Sequence, residues 1–379
     1  MLPRHTAILK VNQGELQALR SLDARTAPKV LPLFEVGPLT DAIRQRKYIS
    51  KSSTPTIAYL NHKLDPVANA WPTRPAMVDG FQWAADARAE NEDHVIAYMV
   101  SRLRASAVAV IPVIGYDRWS NADYRLGLKS IPPRDDGHYC LRLDSSAIED
   151  AAEPDYFRSI IEDIVDELAL NPACCSVLLD FADISMDIAS VEKSVSKAGD
   201  IFRQLQAFGF HHYVVAGCSL PKTIDLAVSD QDSVGSVLRK EMLVWQTLRL
   251  EFPNLAIVSG DYGVRGPTTT EIPSKYTNGK IRHTTKQQMF VVRGHPFTYD
   301  HSNIQMYGLS ETVVKSPHFL GENFSWGDGQ ILLSSRQGGR LDPSWWIAID
   351  TNHHLTFVVQ EVEEFERAIA AKVIAYNGV

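Results

Sequence analysis

Leu255-Ala256-Ile257-Val258-Ser259-Gly260-Asp261-Tyr262-Gly263 and Met289-Phe290-Val291-Val292-Arg293-Gly294-His295 are two apolar runs that each end in polar residues. The segment between them carries Lys275, Tyr276, Lys280, Arg282, His283, Thr284 and Thr285. A short, continuously apolar run bounded by Gly and charge reads as a strand buried on both faces. The two runs therefore predict parallel strands that deliver polar groups at their C-terminal ends, where an α/β protein places its site.

Six further runs share this character: Thr6–Val11, Val30–Val36, Val108–Ile114, Tyr139–Leu143, Ser176–Asp180 and Tyr213–Gly217. Amphipathic stretches at about 86–104, 155–170, 189–208 and 233–251 read as the intervening helices. Eight strands alternating with helices predict a (β/α)8 TIM-barrel-like fold, with an open doubly wound sheet as the alternative. Residues 38–85 hold Pro38, Pro55, Pro66, Pro72 and Pro75 and read as a long insertion after the second strand, with a short strand at Ile57–Leu60. Residues 295–379 read as an extension packed on the barrel, ending in a helix, so that 1–379 forms one domain.

The totals narrow the function classes. A net charge of −7 argues against a general polyanion binder but leaves room for a local basic pocket. No apolar run approaches the roughly 18–20 residues of a membrane span. The N-terminus lacks a basic start followed by an apolar core, so a cytoplasmic protein is expected. Cys140, Cys174, Cys175 and Cys218 lack metal-ligand spacing and read as free thiols.

Barrel logic places candidate groups at the strand ends: Lys10, Glu35, Arg142, Asp180, Asp261, Tyr262 and Arg293. Glu35, Asp180 and Asp261 are candidate catalytic carboxylates, acting as base or as oxygen ligands to a divalent cation. Lys10, Arg142, Tyr262, Lys275, Lys280, Arg282 and Arg293 suit an anionic ligand, since Arg forks pair bidentately with phosphate oxygens and Lys acts as a point charge. The competing reading is that Lys10 pairs with Glu35 and Arg142 with Asp180 as structural ion pairs closing the mouth. Cys218-Ser219 follows a strand, but Ala216-Gly217-Cys218-Ser219-Leu220 is not a nucleophile elbow. His353-His354, read as a strand, point in opposite directions, one buried and one exposed.

Ile8-Leu9-Lys10, Gly14-Glu15, Pro32-Leu33-Phe34-Glu35, Leu178-Leu179-Asp180, Gly260-Asp261-Tyr262-Gly263, Lys280-Ile281-Arg282-His283-Thr284 and Val292-Arg293-Gly294 occur in the order found in the phage "beta protein" family, which this chain resembles. His283 stands where the family pattern has Tyr. The resemblance implies a single barrel-like domain and a setting in phage–host conflict or phage defence; it implies no reaction. Two functions follow as expectations. One is a phosphate-bearing ligand, a nucleotide or nucleic-acid end, bound and hydrolysed in the barrel mouth. The other is a non-catalytic module recognising a phage or host protein through the mouth or the insertion, where Tyr59, Trp71, Phe81 and Trp83 are candidate anchors.

Overall fold

The computed structural model describes residues 2–134, 136–186, 190–268, 277–298 and 303–377. Its strands are β1 (His5–Leu9), β2 (Val30–Glu35), β3 (Pro75–Asp79), β4 (Ala109–Gly115), β5 (Cys140–Leu143), β6 (Ser176–Asp183), β7 (His212–Cys218), β8 (Ser233–Leu238), β9 (Ile257–Asp261), β10 (Asn278–Thr285) and β11 (Gln288–Pro296). Eight of them close a parallel barrel in the order β1-β2-β3-β4-β5-β6-β7-β9, with β9 returning to β1. The fold is a (β/α)8 barrel, as the run-and-helix alternation predicts.

Two strand assignments change. Residues 38–85 contain the barrel strand β3, whose Ala76, Met77 and Val78 are buried beside β2 and β4. Proline at its start and acid at its end leave only three apolar residues to read. The segment expected as a strand at Ile57–Leu60 is instead part of a helix, Pro55–Ala70. Tyr59, Leu60, Leu64 and Val67 bury its inner face at helical spacing, while Pro66 sits inside it and hides the periodicity.

The run expected as the eighth barrel strand, β11, lies outside the barrel. It is the centre of a three-stranded antiparallel sheet ordered β10-β11-β8. Its continuous apolar character has a physical cause, because both faces are covered. Met289 and Val291 pack towards the barrel interior with Cys218, Leu220 and Tyr262. Phe290 and Val292 join Ile281, Met306, Ile331 and Trp346 in a separate core. β8 occupies the first part of the stretch expected as a helix at 233–251; the helix itself is Lys240–Glu251.

After β11 come helices Gln305–Lys315, Trp326–Ser335 and Pro343–Asn377. The last begins well before the expected terminal helix and lies against β1, β10 and the short helix Gln13–Arg20. Gly14 permits that approach: a Cβ there would stand 2.4 Å from the Ser344 carbonyl. His353 and His354 are consequently helical, and both are buried.

Candidate functional site

Side chains alternate in and out along a barrel strand, so the interior is stacked in layers. Below the C-terminal end the layer is apolar: Ile8, Leu33, Met77, Val113, Leu178 and Val258. Two residues further along their strands come Lys10, Glu35, Asp79 and Asp180, joined by Arg142 and Tyr262. Arg142 is the hub and is fully buried. Its guanidinium reaches Glu35 at 2.9 Å, Asp79 at 2.7 Å and Asp180 at 2.6 Å, and lies 3.0 Å from the Tyr262 hydroxyl. Lys10 takes the other Glu35 oxygen, Arg118 the other Asp79 oxygen at 2.9 Å, and the Ala182 N–H the other Asp180 oxygen at 2.9 Å. Every oxygen of the three carboxylates thus has a donor. Phe81 covers the Arg142 guanidinium at 3.9 Å. Arg118 lies over Gly115, where a Cβ would clash with its guanidinium. Burial alone would push the Asp79 carboxyl up, but Arg118 and Arg142 outweigh it and hold it below its ordinary value. Burial, reinforced by Asp180, raises the Tyr262 phenol far above its own. The structural ion-pair reading describes the mouth: it is a closed plug.

Asp261 turns the other way. It accepts from His5 at 3.2 Å, His354 at 2.9 Å and the Gly263 N–H at 2.8 Å, on the side of β9 covered by the C-terminal helix. His354 continues to the Thr284 hydroxyl at 2.8 Å, whose carbonyl contacts His353 at 2.8 Å, which meets Asp328 at 2.8 Å. Two triplets here, His5–Asp261–His354 and His283–Asp328–His353, have spacing compatible with a metal ion. Within each, the His–Asp contacts have hydrogen-bond lengths, and hydroxyl or carbonyl groups occupy the remaining nitrogens of His5, His353 and His354. Glu35 and Asp180 face the barrel interior and Asp261 its outside, so these three do not converge on one cation. Ser219 is likewise committed, donating to Glu241 and accepting from the Lys240 N–H at 2.8 Å. Burial pushes Glu241 up to about 7.

Open space lies beside the mouth. A cleft of about 790 Å³ is bounded by the loops after β7 and β9, by β10 and β11, and by the starts of the helices Gln13–Arg20 and Pro343–Asn377. Lys280 and Arg293 are directly opposed across β10 and β11, and Arg282 follows on the same face. Like charges placed so are destabilising unless compensated. Arg282 is held by Asp350 at 2.9 Å and by the Val264 carbonyl. Arg293 donates to the carbonyls of Val228 at 2.7 Å and Ser229 at 2.6 Å. Lys280 has no hydrogen-bond or ion-pair partner among the described residues. Burial, with Arg282 nearby, pushes its ammonium down to about 8. Burial also pushes Asp350 up to about 6 against the pull of Arg282. Lys222 and Arg265 complete the cations of the lining, against Asp225.

The sequence matches the Beta protein family over residues 6–360. The chain belongs to that family. No curated protein matches it. In this Beta protein, Lys10, Glu35, Arg142, Asp180 and Tyr262 come together in the plug, and Arg282 and Arg293 in the cleft; Asp261 joins neither, and Lys275 lies outside the described residues. Asp79 and Arg118 belong to the plug without having been singled out, Asp79 because β3 was hidden. Lys280, which the sequence groups with Arg282 and Arg293 as suited to an anionic ligand, stands in the cleft without a hydrogen-bond or ion-pair partner among the described residues. Of the four aromatic residues considered as partner anchors, Tyr59 and Trp71 are fully buried, Phe81 covers Arg142 and Trp83 donates to the Val36 carbonyl at 2.9 Å. Among the described residues no helix is long and apolar enough to cross a membrane.

Proposed function

We propose that this Beta protein binds a phosphate-bearing ligand, a nucleotide or nucleic-acid end, in the cleft beside the barrel mouth, and that it does so in the phage–host setting the family resemblance implies. The observation that carries this reading is Lys280: a half-buried ammonium opposite Arg293 and two residues from Arg282, with no ion-pair partner among the described residues. A phosphate supplies that counter-charge and accepts several charge-assisted hydrogen bonds at once. Two helix starts border the same cleft and add their positive dipole ends. Binding, not hydrolysis, is the activity proposed, since the plug's carboxylates have no oxygen left to act as base.

A thermal-shift series on the full chain with phosphate, pyrophosphate and nucleotides tests this. A ligand at about a hundred times its Kd adds roughly 2.7 kcal/mol to stability, which raises the melting temperature measurably. No rise with any phosphate compound at millimolar concentration would overturn the proposal.

A further inference from the structure

The cationic face fills only part of the cleft. About half of the remaining lining is apolar, including Ile224, Val264, Phe297, Met306 and Ile347. A volume of about 790 Å³ lies within the range of sites that enclose a whole small molecule, well beyond what a bare phosphate occupies. Water in the apolar part is poorly held, and an uncharged ring would displace it favourably. The charges also set a scale. Lys280 and Arg282 stand two residues apart on one face of β10, with Arg293 directly opposite Lys280 on β11. Three cationic side chains along one face match two or three linked phosphates better than one.

The rim argues against a strand end. The loop that frames the cleft after β7 continues from Asp225 to Asp230 and Asp232, all exposed, with Lys222 its one cation. A nucleic-acid strand leaving the cleft needs cations along its path, because each phosphate must be neutralised. Here it would meet carboxylates.

We infer that the ligand is a nucleoside polyphosphate, its phosphates on Lys280, Arg282 and Arg293 and its nucleoside against the apolar lining around Ile347. This rests on the phosphate-binding reading above and narrows it to one ligand class.

Calorimetric titration of the full chain with adenosine triphosphate, guanosine triphosphate, inorganic tripolyphosphate and a 5′-phosphorylated oligonucleotide separates the cases. The inference expects at least one nucleoside triphosphate to bind tighter than tripolyphosphate by about tenfold or more, a difference of about 1.4 kcal/mol. It also expects Ile347→Ala to narrow that ratio. Equal affinities for tripolyphosphate and both nucleotides would overturn the inference while leaving a phosphate site standing. An oligonucleotide that binds tighter than either nucleotide would overturn it in favour of a strand end. No binding by any of the four would overturn the phosphate reading itself. The ligand comparison on the unaltered chain decides even where the variant folds poorly.

Discussion

Arg142 and Lys280 are both basic residues near the end of the barrel, and their surroundings give them opposite behaviour. Arg142 is fully buried among Glu35, Asp79 and Asp180. Removing one partner of such a network strands the others, at a cost of roughly 3–5 kcal/mol. Arg142→Met is therefore expected to lower the unfolding free energy by that order, read as a lower midpoint in urea titration; an unchanged midpoint would contradict the plug. Lys280 instead faces Arg282, Arg265, Asp350 and Asp225, and loses its proton near pH 8. Its folded pKa lies below its unfolded one, so its contribution to stability grows as pH rises from about 8 towards 10.5. Phosphate affinity is expected to have the opposite trend, falling across pH 8 as the ammonium is lost. Titrations at pH 7 and pH 9 in the native chain and in Lys280→Met check this, the variant showing a flatter response. At this scale the sequence was informative about pairs: Lys10 with Glu35 and Arg142 with Asp180 were legible from strand position. Direction was not. Asp261 and Tyr262 are neighbours on opposite faces, and a one-residue ambiguity in where β9 ends exchanges them.

Elements were legible where the run was long and apolar. β1, β2, β4, β5, β6, β7 and β9 each stand where an apolar run predicts them. β3 escaped because five residues framed by Pro75 and Asp79 carry too little pattern. β11 was assigned to the wrong sheet because burial on both faces looks the same in sequence whether the covering layers belong to a barrel or to a helical cap. The C-terminal helix holds these parts together through Asp350 on Arg282, His354 on Asp261 and Glu361 on Arg239. Its docking depends on Gly14, where a Cβ would stand 2.4 Å from the Ser344 carbonyl and 2.9 Å from Ile347 Cβ. Alanine favours a helix over glycine by about 1 kcal/mol at most, whereas overpacking costs roughly 1–3 kcal/mol. Gly14→Ala is expected to destabilise on balance, with a lower melting temperature. A rise would mean that the two helices separate easily.

Across the whole molecule, buried histidines set the acid limit. Burial pushes His138 down to about 4 and His212 and His283 to about 3, and lowers His354 as well. Unfolded imidazoles take up protons near pH 6.5 while these do not, so stability is lost as pH falls below that point. Asp79, Asp261 and Asp328, despite burial, are held low by their partners and add a loss of the same sign only as pH falls below the ordinary carboxyl value of 3.8. Glu241 and Asp350, raised to about 7 and about 6, oppose it, losing their contribution as pH rises through those values. The four histidines outnumber these two carboxyls, so the melting temperature at pH 5 is expected below that at pH 7.5; a higher value would contradict the lowered imidazoles. None of this was legible beforehand, because pairing between His5 and His354 requires knowing that the two ends of the chain meet. The central claim is that charge at the end of this barrel is divided between a closed structural plug and an open anion site. Calorimetric titration of pyrophosphate into the native chain and into Lys280→Met at pH 7 and low salt, with melting recorded on the same samples, tests it most directly. Binding weakened by about tenfold or more in a variant that melts no lower is the predicted result. Equal binding in both proteins, or none in the native chain at millimolar pyrophosphate, would contradict it.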